Sequence, residues 1–585
     1  MKKIFLFISL AAMMALTSCE IEEYFRSDTM TSTQLKADPS AAVYTTDGNY
    51  AMFKDQLEYK GSTDSGNTYI RHYFQMGEFR GDNACLSGRT SDPLYEAFNY
   101  TDNGTLKNVY YFWWSSYKII YGANSNIEAI QEGMSNEADH MKGENYFMRA
   151  FCHLGLINIY AKPYSCGREN PGVVLRTSTD CAVTERATVG AVYDQIVFDL
   201  QEASRLMKGK SSRGDKGYIS YEASQALLSR VHLYMENNTE VMTIAQELLG
   251  SGDGYDKLDT DLNHYVANAR TSKETLWCIA HVESEDRARS SVGSMYYSPN
   301  GTGGIGWGEI YWSDSLLELM GRYKDENGEY QDNRLKAYFE QYATKDDDMA
   351  LVHWPFDQGP DSNWRANETV VDVKKNAEGK WAFNKGGKDY VVEEKDKDGD
   401  GFNEYYINGA PANADKDQDG DTRVYVHKNC DKVAGIRQTF PLYQMKKFAT
   451  SEAQSNLCSP VMIRYAEVIL NAAEAEAKDG TEANALKYVN AIRRRAGIPE
   501  WNDSNKWSEH GYDNILDVVL DERRMELCFE GHRSFDVWRN RKSMDRRFAG
   551  AHPWEVVEYT DNRIPYTIPL DETDVSGIPQ NDKNN

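Results

Sequence analysis

Two stretches of the sequence carry apolar residues at helical spacing between recognisable start and stop signals. In the first stretch, Ser220 can cap a helix, the pair Asn237-Asn238 interrupts the pattern, and Gly250 ends a second helix. Two helices joined by so short a break pack against each other as a hairpin. This pattern constrains the fold more than any other feature of the chain.

The second stretch has the same organisation. Ser459 is a candidate cap with Pro460 at the first helical position, Gly480 ends that helix, and Thr481 opens another that Gly497 closes. Its length is close to the roughly 34 residues of a tetratricopeptide repeat, although the strict repeat consensus is absent. We therefore predict a mostly α protein with tetratricopeptide-like helical hairpins as its scaffold.

The rest of the chain alternates between helical and loop-rich parts. Further helical patterns occur near residues 108–132, 137–160, 189–207 and 514–529. The middle of the chain is rich in Gly, Asp, Asn, Trp and Tyr, and runs such as 274–281 and 404–407 suit short strands. We expect long loop-rich insertions with short strands there.

Charge and hydropathy exclude two classes of protein. The 585 residues include 65 Lys and Arg against 90 Asp and Glu, a net charge of −25, which repels nucleic acid phosphates. The mean hydropathy is −0.67, and no apolar run approaches the about 20 residues of a membrane-spanning helix. No nucleic acid partner is expected, and any link to a membrane has to be an anchor.

The N-terminus predicts such an anchor. Two lysines precede an apolar run at 4–16, which is typical of a secretory signal. Residues 16–19, Leu-Thr-Ser-Cys, resemble the bacterial lipobox, in which cleavage leaves an acylated cysteine at the new N-terminus. We predict a lipoprotein signal peptide at 1–18, a lipidated Cys19 and an acidic tether at 19–40. The alternative is an ordinary secretory peptide with an incidental cysteine.

A series of charged and aromatic motifs runs through the chain. The most specific is Glu522-Arg523-Arg524-Met525-Glu526-Leu527, followed by Glu530-Gly531-His532-Arg533 and Asp536. The others are Arg149-Ala150-Phe151, Glu185-Arg186-Ala187-Thr188-Val189, the run from Arg464 to Ala475, Ile492-Arg493, Arg495-Ala496-Gly497, Ile568-Pro569 and Pro579-Gln580-Asn581. In this order and spacing they resemble the SusD/RagB family of outer-membrane nutrient-binding lipoproteins.

The resemblance implies a SusD-like fold and a binding function without catalysis. Such proteins are lipid-anchored on the extracellular face of the outer membrane and deliver oligosaccharides or polysaccharides to a SusC-like TonB-dependent transporter. We expect the same partners here and no organic cofactor. A peptide-binding RagB-like component, a secreted hydrolase and a purely structural helical-repeat adaptor are the alternatives. The implied single domain, 41–585, divides into 41–250, the insertions at 251–455 and a C-terminal part at 456–585.

The charged C-terminal motif has two interpretations. Glu522, Arg523, Glu526 and Arg533 could contact a ligand directly, or they could form ion pairs between packed helices. We interpret them as scaffold ion pairs.

A glycan site needs aromatic rings for the C–H faces of sugars and fixed polar groups for their hydroxyls. Such residues cluster before residue 100 and in the loop-rich middle. The candidate ligand-binding residues are Arg80, Asp82, Asn83, Arg89, Tyr95, Tyr296, Tyr297, Trp307, Trp312, Trp354 and Trp364. Trp113 and Trp114 fall in a helical apolar pattern, so we interpret them as core residues.

Two Asp-x-Asp-x-Asp-Gly turns are the candidate metal sites. Alternating carboxylates before a glycine resemble the first half of an EF-hand loop. Position twelve is Ile407 or Val426, so a nearby acid would have to replace the usual glutamate. The candidate ligands are Asp396, Asp398, Asp400, Glu404, Asp415, Asp417, Asp419 and Asp421. We predict weakly bound structural calcium, and the alternative is a pair of solvated acidic turns.

Overall fold

The structure is a computed structural model that describes residues 41–59, 68–86, 94–182, 184–281, 292–296, 310–341, 348–354, 369–395, 404–409, 420–428, 443–448, 458–548, 552 and 555–583. The helices are α1 (Ala42–Lys54), α2 (Tyr69–Glu78), α3 (Leu94–Phe98), α4 (Lys107–Ala129), α5 (Asn136–Tyr160), α6 (Val189–Met207), α7 (Tyr221–Tyr234), α8 (Asn238–Leu249), α9 (Leu262–Ala267), α10 (Val292–Tyr296), α11 (Asp314–Met320), α12 (Asn333–Tyr338), α13 (Tyr465–Asp479), α14 (Glu482–Ala496), α15 (Ile515–Glu526), α16 (Arg533–Arg539) and α17 (Leu570–Ser576).

The strands are β1 (Ala84–Leu86), β2 (Pro171–Val174), β3 (Arg186–Thr188), β4 (Thr275–Cys278), β5 (Ile310–Trp312), β6 (Phe339–Gln341), β7 (Met349–Trp354), β8 (Thr369–Lys375), β9 (Trp381–Lys385), β10 (Lys388–Lys395), β11 (Glu404–Asn408), β12 (Asp421–Lys428), β13 (Tyr443–Met445), β14 (Val461–Arg464), β15 (Met544–Asp545) and β16 (Val556–Val557). Within the described ranges, no helix combines the length and the apolar character needed to cross a bilayer.

The predicted hairpin helices follow their start signals. Before α7, the Ser220 hydroxyl accepts a hydrogen bond from the Ala223 N–H, and before α14 the Thr481 hydroxyl accepts one from the Asn484 N–H. Gly497 ends α14 with φ of 75°, a left-handed conformation that favours glycine. The prediction of helical hairpins is confirmed.

The helices pack around one large apolar core. Helix α5 lies against α4 and α6, and α13 lies against α14 and α15. At the α5–α6 contact, a Cβ added to Gly143 would lie 2.8 Å from Met207 Cγ and 3.0 Å from the Ala203 carbonyl oxygen. Only glycine allows the two helices to approach this closely. Helix α5, against which α4 packs, is therefore itself held closely by α6.

The start of the C-terminal hairpin differs from the prediction. Residues 461–464 form β14, which pairs antiparallel with β4, and α13 begins only at Tyr465. The Ser459 hydroxyl accepts a hydrogen bond from the His281 N–H at 3.0 Å and caps no helix. A buried partner strand is available to this apolar run, and tertiary pairing outweighs the local helix signal.

Between β6 and β13 the structure contains a closed barrel instead of short isolated strands. Strands β7 to β12 pair in the order β10-β11-β12-β7-β8-β9, and β9 closes onto β10. The barrel has its own apolar core, built around Trp354, Phe383 and Tyr390. The prediction placed a strand at 404–407, which is confirmed as β11, but it missed the barrel because short strands carry few alternating residues.

A cluster of buried charges joins β14, β4, α14 and α15. Arg464 pairs with Glu274 at 2.7 Å, Glu526 at 2.6 Å and Glu530 at 2.7 Å, and Arg495 pairs with Glu526 at 2.5 Å. Burial alone would raise the pKa of Glu526, but the surrounding guanidinium groups hold it well below its ordinary value.

The other members of the charged motif are paired as well. Glu522 accepts from Arg334 at 2.7 Å, Arg523 lies 3.2 Å from Asp536, and Arg533 lies 2.6 Å from Asp82. The interpretation of Glu522, Arg523, Glu526 and Arg533 as scaffold ion pairs is confirmed.

Candidate functional site

A row of aromatic side chains follows one face of α4. Tyr110, Trp114, Tyr117 and Tyr121 recur at spacings of four, three and four residues, which places them on the same side of the helix. The first three are half-buried, and Tyr121 is 52% exposed. Trp113 is only 2% exposed, so its interpretation as a core residue is confirmed. That of Trp114 is wrong, because part of its ring is open to solvent.

A groove of about 320 Å³ lies beside this row, and its volume is that of a small-ligand site. We call it the α4 groove. It is lined by Trp113, Trp114, Tyr117, Lys118, Ile120, Tyr121, Asn124, Val174, Arg176, Ser178, Cys181, Thr184, Glu572, Ser576 and Ile578. Helix α4 forms one wall, the end of β2 and the chain after it form the second, and α17 with Ile578, two residues beyond its end, forms the third.

Hydrogen bonds fix the second wall against α4. The Tyr117 hydroxyl donates to the Val174 carbonyl at 2.7 Å, and Asn124 Nδ2 donates to the Ser178 carbonyl at 2.8 Å. The buried Arg149 donates to Asn124 Oδ1 at 2.8 Å and so orients the amide. The groove is therefore formed by groups held in place before any ligand arrives.

Two opposite charges line the groove. Arg176 Nη1 is buried and has no hydrogen-bond partner among the residues that the structure describes. Burial raises the pKa of Glu572, and the nearby Arg176 partly opposes that shift. An unsatisfied guanidinium N–H and a carboxylate can together bind hydroxyl groups, as donor and acceptor.

A second layer of rings extends the aromatic surface. The Tyr59 ring centroid lies 4.9 Å from that of Trp114 and 5.1 Å from that of Tyr110. The Tyr59 hydroxyl donates to Asp571 at 3.2 Å, next to the third wall. Lys118 Nζ lies 5.0 Å from the Trp114 ring centroid. These contacts hold the rings as a continuous apolar surface with polar edges.

Three of the predicted aromatic ligands lie in the core. Tyr296, Trp312 and Trp354 are 0%, 1% and 2% exposed. The Tyr296 and Trp312 rings pack 5.5 Å and 5.6 Å from the ring of Phe529, and Trp354 belongs to the barrel core. A fully buried ring offers no face to a sugar, which corrects the expectation that these three form an exposed platform.

The predicted polar ligands before residue 100 are buried too. Arg80 forms an ion pair with Asp102, Asp82 lies 2.6 Å from Arg533, and Asn83 is fully buried. Asp82 and Asn83 tie the segment after α2 to the charged C-terminal motif, since Arg524 Nε also donates to Asn83 Oδ1 at 2.9 Å. Burial closes all three side chains to a ligand. The expectation of a ligand site here is corrected in the same way.

The remaining candidate ligands are only partly described. Tyr95 is half-buried on α3 and packs against the main core. Arg89, Tyr297, Trp307 and Trp364 lie outside the described residues. Their role in ligand binding stays a prediction.

The predicted calcium ligands are also only partly described. Asp396, Asp398, Asp400, Asp415, Asp417 and Asp419 lie outside the described residues. Glu404 begins β11, and Asp421, at the start of β12, pairs with Lys395 at 2.8 Å. Among the described residues there is no group of three or more His, Cys, Asp or Glu side chains that could hold a metal ion. Calcium binding stays a prediction.

The sequence did contain one signal for the α4 groove. The spacing of Tyr110, Trp114, Tyr117 and Tyr121 marks a helix face, but the same helix buries its opposite face, so aromatic residues alone do not separate core from surface. Arg176 and Glu572 come from distant parts of the sequence, and only the fold brings them to α4.

Sequence profiles place the chain in a family. The profile of the SusD family matches residues 273–576, and a profile described as starch-binding associating with outer membrane matches residues 64–233. The first match covers more than half of the chain. The chain therefore belongs to the SusD family, as the motifs indicated.

Individual relatives and solved structures support the same family assignment. SusD-like protein P38 of Formosa agariphila is 22% identical over 494 residues, which are 82% of this chain and 81% of that protein. A SusD superfamily protein from Bacteroides thetaiotaomicron is similar with a TM-score of 0.63 at 22% identity, covering 93% of this chain and 99% of its own. A laminarin binding SusD-like protein is similar with a TM-score of 0.58 at 19% identity, covering 93% of this chain and 99% of its own. The prediction of a mostly α, SusD-like fold is confirmed.

Proposed function

We propose that this protein is a surface-exposed, non-catalytic glycan-binding lipoprotein that captures oligosaccharides in the α4 groove and delivers them to a SusC-like TonB-dependent transporter of the outer membrane. Family membership supports a carbohydrate ligand, since one matching profile is described as starch-binding and one structural neighbour as laminarin binding. The observation that carries the proposal is the open aromatic row on α4 beside a guanidinium nitrogen that has no hydrogen-bond partner within the described part of the chain.

The groove supplies the two kinds of contact that a sugar needs. The exposed faces of Trp114 and Tyr121 can pack on the C–H faces of pyranose rings. Arg176 can donate to ring hydroxyls, while Glu572 accepts from them. Since the walls are already hydrogen-bonded to one another, little conformational entropy is lost when the ligand binds.

Affinity electrophoresis against a polysaccharide panel that includes starch and laminarin tests the proposal, with a peptide pool as control ligand. Retention by at least one glycan is expected for the wild type. Trp114→Ala and Tyr121→Ala should each weaken retention about tenfold, the equivalent of roughly 1.4 kcal/mol. Phe198→Ala is the matched control, because Phe198 is 50% exposed on α6 away from the groove; it should leave retention unchanged.

Three outcomes would contradict the proposal. Equal retention of the wild type and of every variant would show that the glycan binds elsewhere than at α4. Retention by peptides alone would favour the RagB-like alternative. Release of reducing sugar from the retained polysaccharide would favour the hydrolase.

The anchor is tested separately. Cells expressing the protein are labelled with palmitate, and the label is expected on the wild type but not on Cys19→Ser. Co-purification of the detergent-solubilised protein with a TonB-dependent transporter tests the partner. An unlabelled wild type would favour the ordinary secretory peptide.

A further inference from the structure

A cavity beside α1 shares no lining residue with the α4 groove. Its volume of about 290 Å³ is close to the lower limit of about 300 Å³ for small-ligand sites. We call it the α1 cavity. It is lined by Asp47, Tyr50, Ala51, Lys54, Asp215, Gly217, Tyr218, Arg270, Ile279 and Ala280.

Three parts of the chain form the walls of the α1 cavity. Helix α1 contributes positions 47, 50, 51 and 54, whose spacing places them on one side of the helix. The segment between α6 and α7 forms the second wall, and residues on both sides of β4 form the third. A Cβ added to Gly217 would lie 2.8 Å from Ala280 Cβ, so glycine is what lets the second and third walls approach this closely.

Two tyrosine rings meet at right angles in the α1 cavity. The centroids of Tyr50 and Tyr218 lie 5.3 Å apart with an interplanar angle of 88°, and both side chains are half-buried. The Tyr50 hydroxyl donates to Glu144 at 3.0 Å and accepts from the Ile219 N–H at 2.9 Å. The rings are therefore held in place, and their open parts can pack on the C–H face of a sugar.

Pairing balances the charges around the cavity. The lining contains two acidic and two basic residues. Asp47 pairs with Arg213, and Asp215 pairs with Arg270 at 2.5 Å. The hydrogen bond from Arg270 lowers the pKa of Asp215, so this carboxyl group is ionised at neutral pH and acts as an acceptor. A balanced lining gives no advantage to a ligand with a net charge, and it suits a neutral ligand that carries hydroxyl groups.

Two polar groups at the cavity keep hydrogen-bonding capacity. The Asp47 side chain is 43% exposed, and within the described residues its Oδ2 accepts no hydrogen bond. Arg213, whose Cζ lies 4.4 Å from the Tyr218 ring centroid, has a buried Nη2 without a partner in the described part of the chain. A ligand hydroxyl that accepted from this nitrogen would remove the cost of leaving it unsatisfied. A donor and an acceptor thus lie beside the same pair of rings, as sugar hydroxyls require.

We propose that the α1 cavity is a second saccharide-binding site, which takes an uncharged segment of a glycan against Tyr50 and Tyr218 with its hydroxyl groups on Asp47 and Asp215. The saccharide class rests on the proposed function, whereas the location of the site does not depend on the α4 groove. Two sites on one protein raise the apparent affinity for a polymer that reaches both of them. The second site would therefore favour long glycans over fragments that fill one site.

The test uses affinity electrophoresis in a Trp114→Ala background, in which the α4 groove is weakened. The gels contain starch, laminarin or the anionic polygalacturonate. Tyr218→Ala removes one ring of the α1 cavity, and Ala51→Trp fills the cavity from α1. Tyr330→Ala is the matched control, because Tyr330 is about half-exposed and does not line the cavity. Circular dichroism melting verifies that each variant folds.

We expect Trp114→Ala to keep residual retention by starch or laminarin, and we expect Tyr218→Ala or Ala51→Trp to lower that retention by a further factor of about ten. Tyr330→Ala should leave it unchanged. Unchanged retention in both cavity variants would overturn the proposal, as would an equal loss in the Tyr330→Ala control.

The remaining outcomes separate the two sites. Complete loss of retention in Trp114→Ala alone would overturn the second site and leave the α4 groove in place. Retention of Trp114→Ala at the wild-type level, with a loss in Tyr218→Ala, would contradict the α4 groove and support the α1 cavity. Retention by polygalacturonate equal to that by the neutral glycans would overturn the assignment to uncharged segments. A wild type that no glycan retains would overturn both proposals.

Discussion

Two tryptophans of this protein illustrate how position decides the role of a side chain. Trp312 is 1% exposed and packs against Phe339 and Phe529, whereas Trp114 keeps part of its ring open beside a groove. Both are aromatic residues near polar neighbours in the sequence. Their different surroundings predict different consequences of the same substitution.

Trp312→Ala is expected to lower the free energy of unfolding by about 3–5 kcal/mol, because it leaves a large cavity in the core. Trp114→Ala should lower it by less than about 1.5 kcal/mol, because its ring is only partly buried. Urea denaturation followed by fluorescence measures both. A Trp312→Ala variant that kept its stability and lost glycan retention would restore Trp312 as a ligand contact.

A buried carboxyl group gives the stability a pH dependence at the residue scale. Burial raises the pKa of Glu78 from 4.5 to about 7, although Asn83 and the N–H groups of Phe529 and Gly531 donate to it. Between these values the folded state binds more protons than the unfolded state, so its stability falls as the pH rises. The free energy of unfolding of the wild type, taken relative to that of Glu78→Gln, should fall by roughly 3 kcal/mol between pH 4.5 and pH 7.

The comparison with Glu78→Gln is needed because histidines act in the opposite sense. Burial lowers the pKa of His532 far below its usual range and that of His153 to about 3, so both groups reduce stability as the pH falls below 6.5. Denaturation curves of both proteins at several pH values isolate the contribution of Glu78. Parallel stability curves for the two proteins would contradict the prediction.

At the scale of elements, local signals predicted helices better than strands. The spacing and caps around Ser220 and Thr481 predicted α7 and α14 because those signals lie within a few residues of each helix. The strand β14 depends on β4, almost 190 residues earlier in the sequence, and the barrel depends on six strands that pair with one another. Distant partners of this kind leave no local pattern.

The candidate site likewise combines a local signal with residues that are distant in the sequence. Its aromatic wall on α4 has a recognisable spacing, while Arg176 and Glu572 reach the groove only through the fold. Arg80 and Asp82 show the opposite case. Their position in the sequence suggested a ligand site, but in the structure Arg80 pairs with Asp102 and Asp82 pairs with Arg533. Sequence alone does not reveal whether a charged residue already has a partner inside the protein.

Calcium binding is predicted for the two acidic turns, which adjoin β10, β11 and β12. Since a cation that binds only the folded state stabilises it by mass action, millimolar calcium should raise the melting temperature and a chelator should lower it. Asp398→Asn/Asp417→Asn is expected to remove the difference. Identical melting with calcium and with chelator would contradict an occupied site.

At the scale of the whole molecule, buried ion pairs join parts of the chain that are far apart in sequence. Arg464 contacts Glu274, Glu526 and Glu530 in a region closed to solvent. Arg464→Met removes the cation that contacts all three carboxylates and leaves Arg495 and Lys447 to balance them, which should cost about 3–5 kcal/mol of stability. Chemical denaturation measures the loss.

The matched control is an exposed ion pair. Arg205 is about half-exposed and pairs with Glu132 at 2.6 Å, so Arg205→Met should change stability by less than about 1 kcal/mol. Similar losses in the two variants would contradict the assignment of the Arg464 cluster as the link between β4, β14 and α15.

The three walls of the α4 groove come from separate regions of the sequence, and α17 contributes the last of them. If the groove binds a sugar as we propose, the bound sugar contacts both α17 and α4 and holds the two helices together. Occupancy would then protect α17 amides from hydrogen exchange, even though the sugar's main contacts are on another helix. Helix α17 would then be less mobile in the sugar-bound protein than in the free protein. The transporter that we propose as partner could distinguish the two states by this difference in α17.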